Sequence, residues 1–248
     1  MDCALNTSSW EAYGQSNICF SKEKNGDHLL LEDIRDEKTL IAIVSDGITN
    51  QPCDWLASEL ACNKFYEFFI KANSIPVRER IKESVRHANN NLLSVEDECR
   101  GLASTLTLVV WEYDRAYFYY VNIGDSRIYS VSDGNIIQLT RDDKVLAKMD
   151  VQTSEGLKDI WTVTSHLGRE YPDIIIHEGT FGKGGFLLLA SDGFFTSRKS
   201  SFEKNIIELS KSDNLQSDFN KLVRKFEILA DDDMTAIVIR KVGRNTDN

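Results

Sequence analysis

Two adjoining β-rich segments in the middle of the chain limit the fold most. They are STLTLVVWEY, from Ser104 to Tyr113, and AYFYYVNI, from Ala116 to Ile123. The residues between them are few enough for a hairpin turn, and both segments are rich in β-branched and aromatic residues. A second hairpin is predicted over 127–140, because Asp133-Gly134 supplies the positive φ angles of a tight turn. This part of the chain therefore predicts antiparallel β-structure.

Helical patterns lie before and after these hairpins rather than between successive strands. Apolar residues recur at helical spacing over Asp54–Ala72, and a second helix begins at Pro76 and runs to about Val95. Further helices are expected at Ser201–Ser210 and Gln216–Phe226. Buried strands are expected at Lys38–Ser45, Phe186–Ala190 and Thr235–Val242. Because the helices are grouped, the pattern predicts an α+β fold and not a doubly wound sheet.

The stretch from Arg141 to about Glu170 is more polar and less periodic than its surroundings. We expect a short helix near Lys144–Met149. The rest is interpreted as a lid or a substrate-facing flap, unless it contains further short elements.

Charge and cysteine content restrict the function classes. The net charge of −10 argues against nucleic acid as a partner. No apolar run is long enough to cross a bilayer and the N-terminus does not resemble a signal peptide, so we expect a cytoplasmic protein without a membrane partner. The five cysteines lack metal-ligand spacing and are predicted to be reduced thiols, with Cys62 on a helix face. The length fits one domain over 1–248.

Five aspartates lie at the ends of predicted strands. Asp46, Asp125 and Asp192 follow strongly apolar strands, whereas Asp27 and Asp232 each precede an apolar run. Crowded carboxylates repel each other, and a hard divalent cation such as Mg²⁺ or Mn²⁺ removes that repulsion. Two such ions can share a bridging water and convert it to hydroxide. Asp-Gly pairs also form ordinary turns, so this pattern alone predicts an acidic metal site without naming a substrate.

Other candidate sites have simpler interpretations. Ser104 and Thr105 lack a His-Asp partner pattern, so we expect them to hydrogen-bond inside a strand rather than to act as nucleophiles. The aromatic residues of 111–120 could stack on bases, but core packing fits the acidic composition better. The four histidines share no ligand spacing.

The ordered segments resemble the metal-dependent protein serine/threonine phosphatases of type 2C, in their compact bacterial form. The resemblance covers about 14–240. The segments that carry it, in the order of that family, are SDG (Ser45–Gly47), GLASTLT (Gly101–Thr107), NIGDSRIYSVSDGNIIQLTRDD (Asn122–Asp143), LGRE (Leu167–Glu170), LLLASDGFF (Leu187–Phe195) and DDMTAIVI (Asp232–Ile239).

The resemblance implies a four-layer αββα sandwich, with two antiparallel sheets flanked by helices and a metal site in a cleft at one end. In that family's pattern Asp46 would bridge two Mn²⁺ or Mg²⁺ ions and the Gly47 carbonyl would bind one of them. Asp192 and Asp232 match the remaining carboxylate ligands. The set is completed by residues with lesser roles: Asp27 for metal-bound water, Asp125 for a third, weaker ion, and Lys22 for substrate phosphate.

Several positions depart from the family pattern. Ile48, Thr49 and Asn50 replace His or Met followed by two glycines, and Lys22 stands where a phosphate-binding arginine is frequent. Lysine binds phosphate as a point charge and not through a bidentate fork. Asp233 replaces a frequent Asn. These departures concern specificity and rate, because every expected carboxylate ligand is present.

We therefore expect a hydrolase of phosphoserine and phosphothreonine in proteins, in which a metal-bridging hydroxide attacks phosphorus. Its expected partners are phosphorylated proteins and a cognate Ser/Thr kinase in signal transduction, and the chain is expected to be a monomer. Two alternatives remain: a phosphoprotein-binding regulatory module with the same fold and little turnover, and a phosphatase for small phosphate esters.

Overall fold

Two antiparallel sheets form the centre of the protein. The computed structural model describes residues 1–48, 51, 53–153, 156–182, 184–197 and 200–242, with the backbone alone at 150, 152–153 and 156–161. The six-stranded sheet contains, in spatial order, β1 (Asp2–Asn6), β2 (Trp10–Asn17), β13 (Met234–Lys241), β12 (Phe186–Ala190), β7 (Arg127–Ser132) and β8 (Asn135–Gln138). The five-stranded sheet contains β11 (His177–Thr180), β6 (Tyr117–Ile123), β5 (Leu106–Glu112), β4 (Thr39–Asp46) and β3 (Asp27–Ile34).

Helices cover the outer face of each sheet. The helices α1 (Asp54–Lys71) and α2 (Val77–Leu93) share a core with the five-stranded sheet. The helices α3 (Asp192–Thr196), α4 (Phe202–Ser210) and α5 (Leu215–Glu227) share another with the six-stranded sheet. The predicted α+β sandwich of four layers is confirmed. No helix in the described part of the chain has both the length and the apolar character needed to cross a bilayer.

Strands buried on both faces explain the continuous apolar runs of the sequence. In β12, Leu187 and Leu189 point into the core between the sheets, whereas Leu188 points into the core under the helices. Successive side chains of a strand point to opposite faces, so a strand with a core on each side needs apolar residues at every position. The sandwich therefore contains three apolar layers.

Both predicted hairpins are present. The first joins β5 to β6, and its aromatic side chains Trp111 and Phe118 are buried between the sheets, as the packing interpretation predicted. The second joins β7 to β8 through Asp133 and Gly134, whose φ angles are 51° and 77°. Two successive positive φ angles give the turn a twist that matches the paired strands.

The helix predicted at Lys144–Met149 is wrong. These residues begin β9 (Lys144–Thr153), which pairs with β10 (Gly156–Val163) in a separate two-stranded antiparallel ribbon. Val145 and Met149 are exposed, so no core contact selects a helical face here. Cross-strand pairing overrides the local helix preference. The polar stretch thus contains short elements, as the alternative interpretation allowed.

The prediction of five reduced thiols is also wrong. Cys53 and Cys99 form a disulfide with a Cα–Cα distance of 5.5 Å, although 46 positions separate them in sequence. Folding brings them together beside the core under α1 and α2, a proximity that sequence spacing does not reveal. Cys62 lies on the buried face of α1, as predicted, and Cys3 and Cys19 are free.

Candidate metal centre

The five predicted aspartates meet at one end of the two sheets. Asp46 ends β4 and is the direct ladder partner of Asp27, which begins β3. Asp192 follows β12, Asp232 lies just before β13, and Asp125 lies between β6 and β7. Each of the other four carboxylates acts electrostatically on Asp46. The structure therefore gathers into one cluster the acidic residues that the sequence singled out.

Hydrogen bonds from the two residues before β5 fix the backbone of Asp46. The Asp46 N–H donates to Thr105 Oγ1 over 2.9 Å, and the Thr105 N–H donates to the Asp46 carbonyl over 2.8 Å. The Ser104 hydroxyl donates to the same carbonyl over 2.9 Å. Both hydroxyl residues are buried. Both residues hydrogen-bond, as predicted, but they lie just before β5 and not inside a strand, and they position the central aspartate.

Two glycines next to these aspartates allow close backbone packing. A Cβ at Gly47 would lie 2.1 Å from the carbonyl oxygen of Asp54, the first residue of α1. A Cβ at Gly193 would lie 2.0 Å from the carbonyl oxygen of Asp233. Real Cβ atoms do not approach oxygen so closely, so glycine is required at both positions. The repeated Ser-Asp-Gly motif thus has a packing reason besides its acidic residue.

Three carboxylates of the cluster, those of Asp46, Asp192 and Asp27, have raised pKa values. Burial raises the pKa of Asp46 well above its usual range, and the charges of Asp27 and Asp192 raise it further. Burial, followed by neighbouring carboxylates, raises the pKa of Asp192 to about 6. Burial also raises the pKa of Asp27 to about 7, even though the Ser191 hydroxyl donates to its Oδ2 over 2.7 Å. A bound cation would relieve this accumulation of negative charge.

Lys22, the predicted phosphate contact, pairs with two aspartates. Its ammonium lies 2.5 Å from Asp232 Oδ1 and 2.9 Å from Asp233 Oδ2. Burial works to lower the pKa of Lys22, but the hydrogen bonds to both carboxylates outweigh it and raise the pKa. The structure therefore places this ammonium directly on Asp232, one of the expected metal ligands.

Asp233 has a structural role that the sequence analysis missed. Its side chain is 1% exposed and accepts hydrogen bonds from the N–H groups of Cys19 and Gly26, each over 2.7 Å. Together with Lys22, these donors join the segment between β2 and β3 to the start of β13. The acidic run 231–233 indicates in the sequence that a carboxylate could be buried here, but it does not show which of the three faces inward.

A second lysine, Lys144, was also missed, because it was assigned to a helix. It lies at the start of β9, with its ammonium 3.5 Å from Asp125 and 3.2 Å from Asp142. The Arg127 guanidinium donates to both oxygens of Asp142, over 2.8 and 2.7 Å. Burial raises the pKa of Asp125 although Lys144 works to lower it. The cluster is therefore bordered by a lysine at each end.

The carboxylates of the cluster are chemically suited to a hard divalent cation, but in the described residues no three of them surround a single position. Buried carboxylates with raised pKa values are suitable ligands for Mg²⁺ or Mn²⁺. Within the described ranges, however, no three His, Cys, Asp or Glu side chains are placed to hold a single ion. The ion pair between Lys22 and Asp232 gives one reason, since it engages an expected ligand. Of the unusual residues after Gly47, Ile48 donates its N–H to the Ala103 carbonyl, and Thr49 and Asn50 lie outside the described residues.

Solved serine/threonine phosphatases share this fold. The Mycobacterium tuberculosis phosphatase PstP/Ppp is 19% identical, with a TM-score of 0.73 over 95% of this chain and 100% of that one. The catalytic domain of PstP in complex with two manganese ions is 18% identical, with a TM-score of 0.73 and coverage of 95% and 99%. The phosphatase MsPP from Mycobacterium smegmatis, in complex with cacodylate, is 26% identical, with a TM-score of 0.70 and coverage of 94% and 98%.

A comparison of sequences assigns the family. No curated protein sequence gives a significant match. The family model described as protein phosphatase 2C matches residues 20–236, a span that includes all five clustered aspartates and Lys22. With the four-layer fold already established, a match over most of the chain shows that this chain belongs to the protein phosphatase 2C family.

Proposed function

We propose that this chain is a metal-dependent protein phosphatase that hydrolyses phosphoserine and phosphothreonine, with Mn²⁺ or Mg²⁺ held by Asp46, Asp192 and Asp232. The observation that carries the proposal is the clustering of Asp46 with four other carboxylates, in a chain of this family. Asp46 would contact two ions, and the Gly47 carbonyl would contact one of them. Asp27 and Asp125 would act through metal-bound water and a third ion.

The residues of the chain have distinct tasks in the reaction. The bound ions would supply Lewis-acid activation of water and of the phosphoryl group. The Lys22 ammonium has three N–H donors, two of which bind Asp232 and Asp233, so the third can bind a phosphate oxygen. Its charge would stabilise the negative charge on the phosphoryl group in the transition state. Solvent water protonates the leaving alkoxide.

We also propose the domain extent, the oligomeric state, the cellular role and the location of the chain. The catalytic domain is one unit over 1–248, with its core at about 14–240, because three apolar cores link its layers. The chain acts as a monomer, opposes a Ser/Thr kinase in signal transduction, and does so in the cytoplasm. Disulfides are rare in that compartment, so the Cys53–Cys99 bond would then form only under oxidising conditions.

The test is hydrolysis of a phosphothreonine peptide and of p-nitrophenyl phosphate, each with Mn²⁺ and with a chelator. We expect activity with Mn²⁺ only, and a loss of about a hundredfold or more in Asp192→Asn. Asp114→Asn, at the exposed turn between β5 and β6, is the matched control and should keep wild-type activity. Equal activity in chelator, or full activity of Asp192→Asn, would refute the metal mechanism.

One observation favours the second candidate, a phosphoprotein-binding module. The Lys22 ammonium pairs with Asp232, one of the expected metal ligands. This candidate predicts that the phosphopeptide binds but is not turned over when Mn²⁺ is supplied. Hydrolysis of p-nitrophenyl phosphate without hydrolysis of the peptide would instead indicate a phosphatase for small esters.

A further inference from the structure

An apolar groove begins at the Asp232 edge of the carboxylate cluster. It has a volume of about 540 Å³ and lies between the segment after β2 and the segment after α5. We call it the apolar groove and define it by six of its lining residues: Ile18, Phe20, Ile228, Ala230, Asp232 and Met234.

The walls of the apolar groove expose large hydrophobic side chains. The relative exposure of Phe20 is 103%, that of Ile228 is 76% and that of Ile18 is 42%. Leu229, next to Ile228, is 53% exposed. Single exposed hydrophobic residues are common, but several around one groove are typical of an interaction site. This grouping therefore requires a functional explanation.

Hydrogen bonds hold the Phe20 wall in place. The Cys19 N–H donates to Asp233 Oδ1 over 2.7 Å, and the Lys22 N–H donates to the Cys19 carbonyl over 3.0 Å. The Lys22 ammonium adds a bond to Asp233 over 2.9 Å. Phe20 thus lies on a turn that is anchored on both sides of it. A wall preorganised in this way loses little conformational entropy when a ligand binds.

The opposite wall is also fixed by backbone hydrogen bonds. The Leu229 N–H donates to the Phe226 carbonyl over 3.1 Å, and the Ala230 N–H donates to the Glu227 carbonyl over 3.2 Å. The Cys19 thiol lies 4.0 Å from the Ala230 carbonyl oxygen and connects the two walls. The groove therefore exists before any ligand arrives.

The apolar groove is continuous with the proposed catalytic site. Asp232 belongs both to the groove lining and to the carboxylate cluster, and Phe20 lies two positions before Lys22. Because Lys22 contacts Asp232, a phosphate bound at Lys22 would lie next to this groove. Glu227 lines it and Asp231 is exposed next to it, so this part of the rim is acidic. An acidic rim around apolar walls complements a segment that is both apolar and basic.

We propose that the apolar groove docks the substrate protein, by binding an apolar side chain close to the phosphorylated Ser or Thr in a segment that also carries Lys or Arg. The proposal rests on the phosphatase function proposed above and specifies its substrate class. A second copy of this chain is a less suitable occupant, because it would cover the entrance to the carboxylate cluster.

The test uses phosphothreonine peptides with one basic residue and a single leucine placed at successive positions on either side of the phosphothreonine. Serine in place of that leucine gives the reference peptide. For the best leucine position we expect kcat/KM to be about tenfold higher than for the reference, in line with burial of one apolar side chain. Phe20→Ser and Ile228→Ser should remove most of this preference. Ile137→Ser, an exposed residue on β8, is the matched control and should keep it.

Hydrolysis of p-nitrophenyl phosphate distinguishes a defect in peptide docking from a defect at the catalytic site. If Phe20→Ser lowers peptide and p-nitrophenyl phosphate hydrolysis equally, or if leucine has no effect at any position, the docking proposal is wrong. If Phe20→Ser turns a dimer into a monomer without changing peptide preference, the groove binds a second copy instead. If nothing is hydrolysed, the proposed function fails, and fluorescence anisotropy of the labelled leucine peptide against Phe20→Ser still decides whether the groove binds it.

Discussion

The two ends of the carboxylate cluster each carry a lysine, but the two lysines are anchored differently. Lys22 contacts Asp232 and Asp233 at 2.5 and 2.9 Å, and backbone N–H groups also hold the buried Asp233 carboxylate. Lys144 contacts Asp125 and Asp142 at 3.5 and 3.2 Å. The two lysine side chains are similarly exposed, at 21% and 22%, but Lys22 has one partner, Asp233, that is only 1% exposed, whereas Asp125 and Asp142 are 10% and 13% exposed.

This difference predicts different effects of substitutions in the two groups. A cation fixed by a buried partner keeps its position, which suits a phosphate contact and the wall of a docking groove. At the other end, the Arg127 fork already binds Asp142, so the geometry there depends less on Lys144. We therefore expect substitutions near Lys22 to affect both stability and catalysis, and substitutions near Lys144 to affect them less.

The largest expected effect is the loss of stability in Asp233→Ala. This substitution leaves the Lys22 ammonium and the Cys19 and Gly26 N–H groups without their buried acceptor. We expect the free energy of unfolding to fall by about 3–5 kcal/mol. The half-buried Asp142 provides the comparison, and Asp142→Ala should cost about 1–2 kcal/mol. Urea denaturation measures both values, and equal losses would remove the distinction between the two groups.

Next in size is the pH dependence of the metal-free protein. Because the pKa values of Asp46, Asp192 and Asp27 are raised, the folded state retains protons that the unfolded state releases near pH 4. The contribution of these protonated carboxyl groups to the free energy of unfolding is fully present below about pH 4. It is lost as the pH rises through about 6 to 7. The pKa of Asp142 is lowered by Arg127 despite burial, so its contribution is lost instead as the pH falls.

Unfolding in chelator at about pH 5 and about pH 7.5 measures this dependence. The metal-free protein should lose on the order of 1–3 kcal/mol between these values, and Mn²⁺ should restore stability at the higher pH. In Asp46→Asn, which removes one titrating carboxylate, the loss should shrink. A wild-type protein that is more stable at the higher pH in chelator would contradict the raised pKa values.

The smallest effects are expected from the two lysines. In Lys22→Gln, Asp232 is released, so Mn²⁺ affinity should rise about two- to fivefold, as expected for a partly exposed pair. Peptide hydrolysis should nevertheless fall at least about tenfold, because the positive charge of the lysine no longer stabilises the phosphoryl group. In Lys144→Gln both quantities should stay within about twofold. Calorimetry and steady-state kinetics give these values, and a larger effect at Lys144 would reverse the comparison.

The sequence predicted those parts of the structure that burial determines. Strands such as β12 are apolar at every position because a core lies on each side of them, so their sequences identify them without tertiary information. The paired positive φ angles at Asp133 and Gly134 were predictable for a similar reason, because few residue types adopt them.

The errors concern residues whose state depends on distant contacts. Lys144–Met149 has helix-forming residues, and only its pairing with β10 makes it a strand. Cys53 and Cys99 come together through folding, not through spacing. The five site aspartates could be predicted as a group. The burial of Asp233 and the engagement of Lys22 could not, because both depend on how the segment after β2 meets the start of β13.

Metal binding by Asp46→Asn tests whether the carboxylate cluster holds the divalent ions. Isothermal titration calorimetry with Mn²⁺ compares the wild type, Asp46→Asn and the control Asp114→Asn, and it requires no turnover. We expect Asp46→Asn to lose at least about a hundredfold in affinity, while Asp114→Asn binds Mn²⁺ as the wild type does. Equal Mn²⁺ affinity in all three proteins would contradict this expectation.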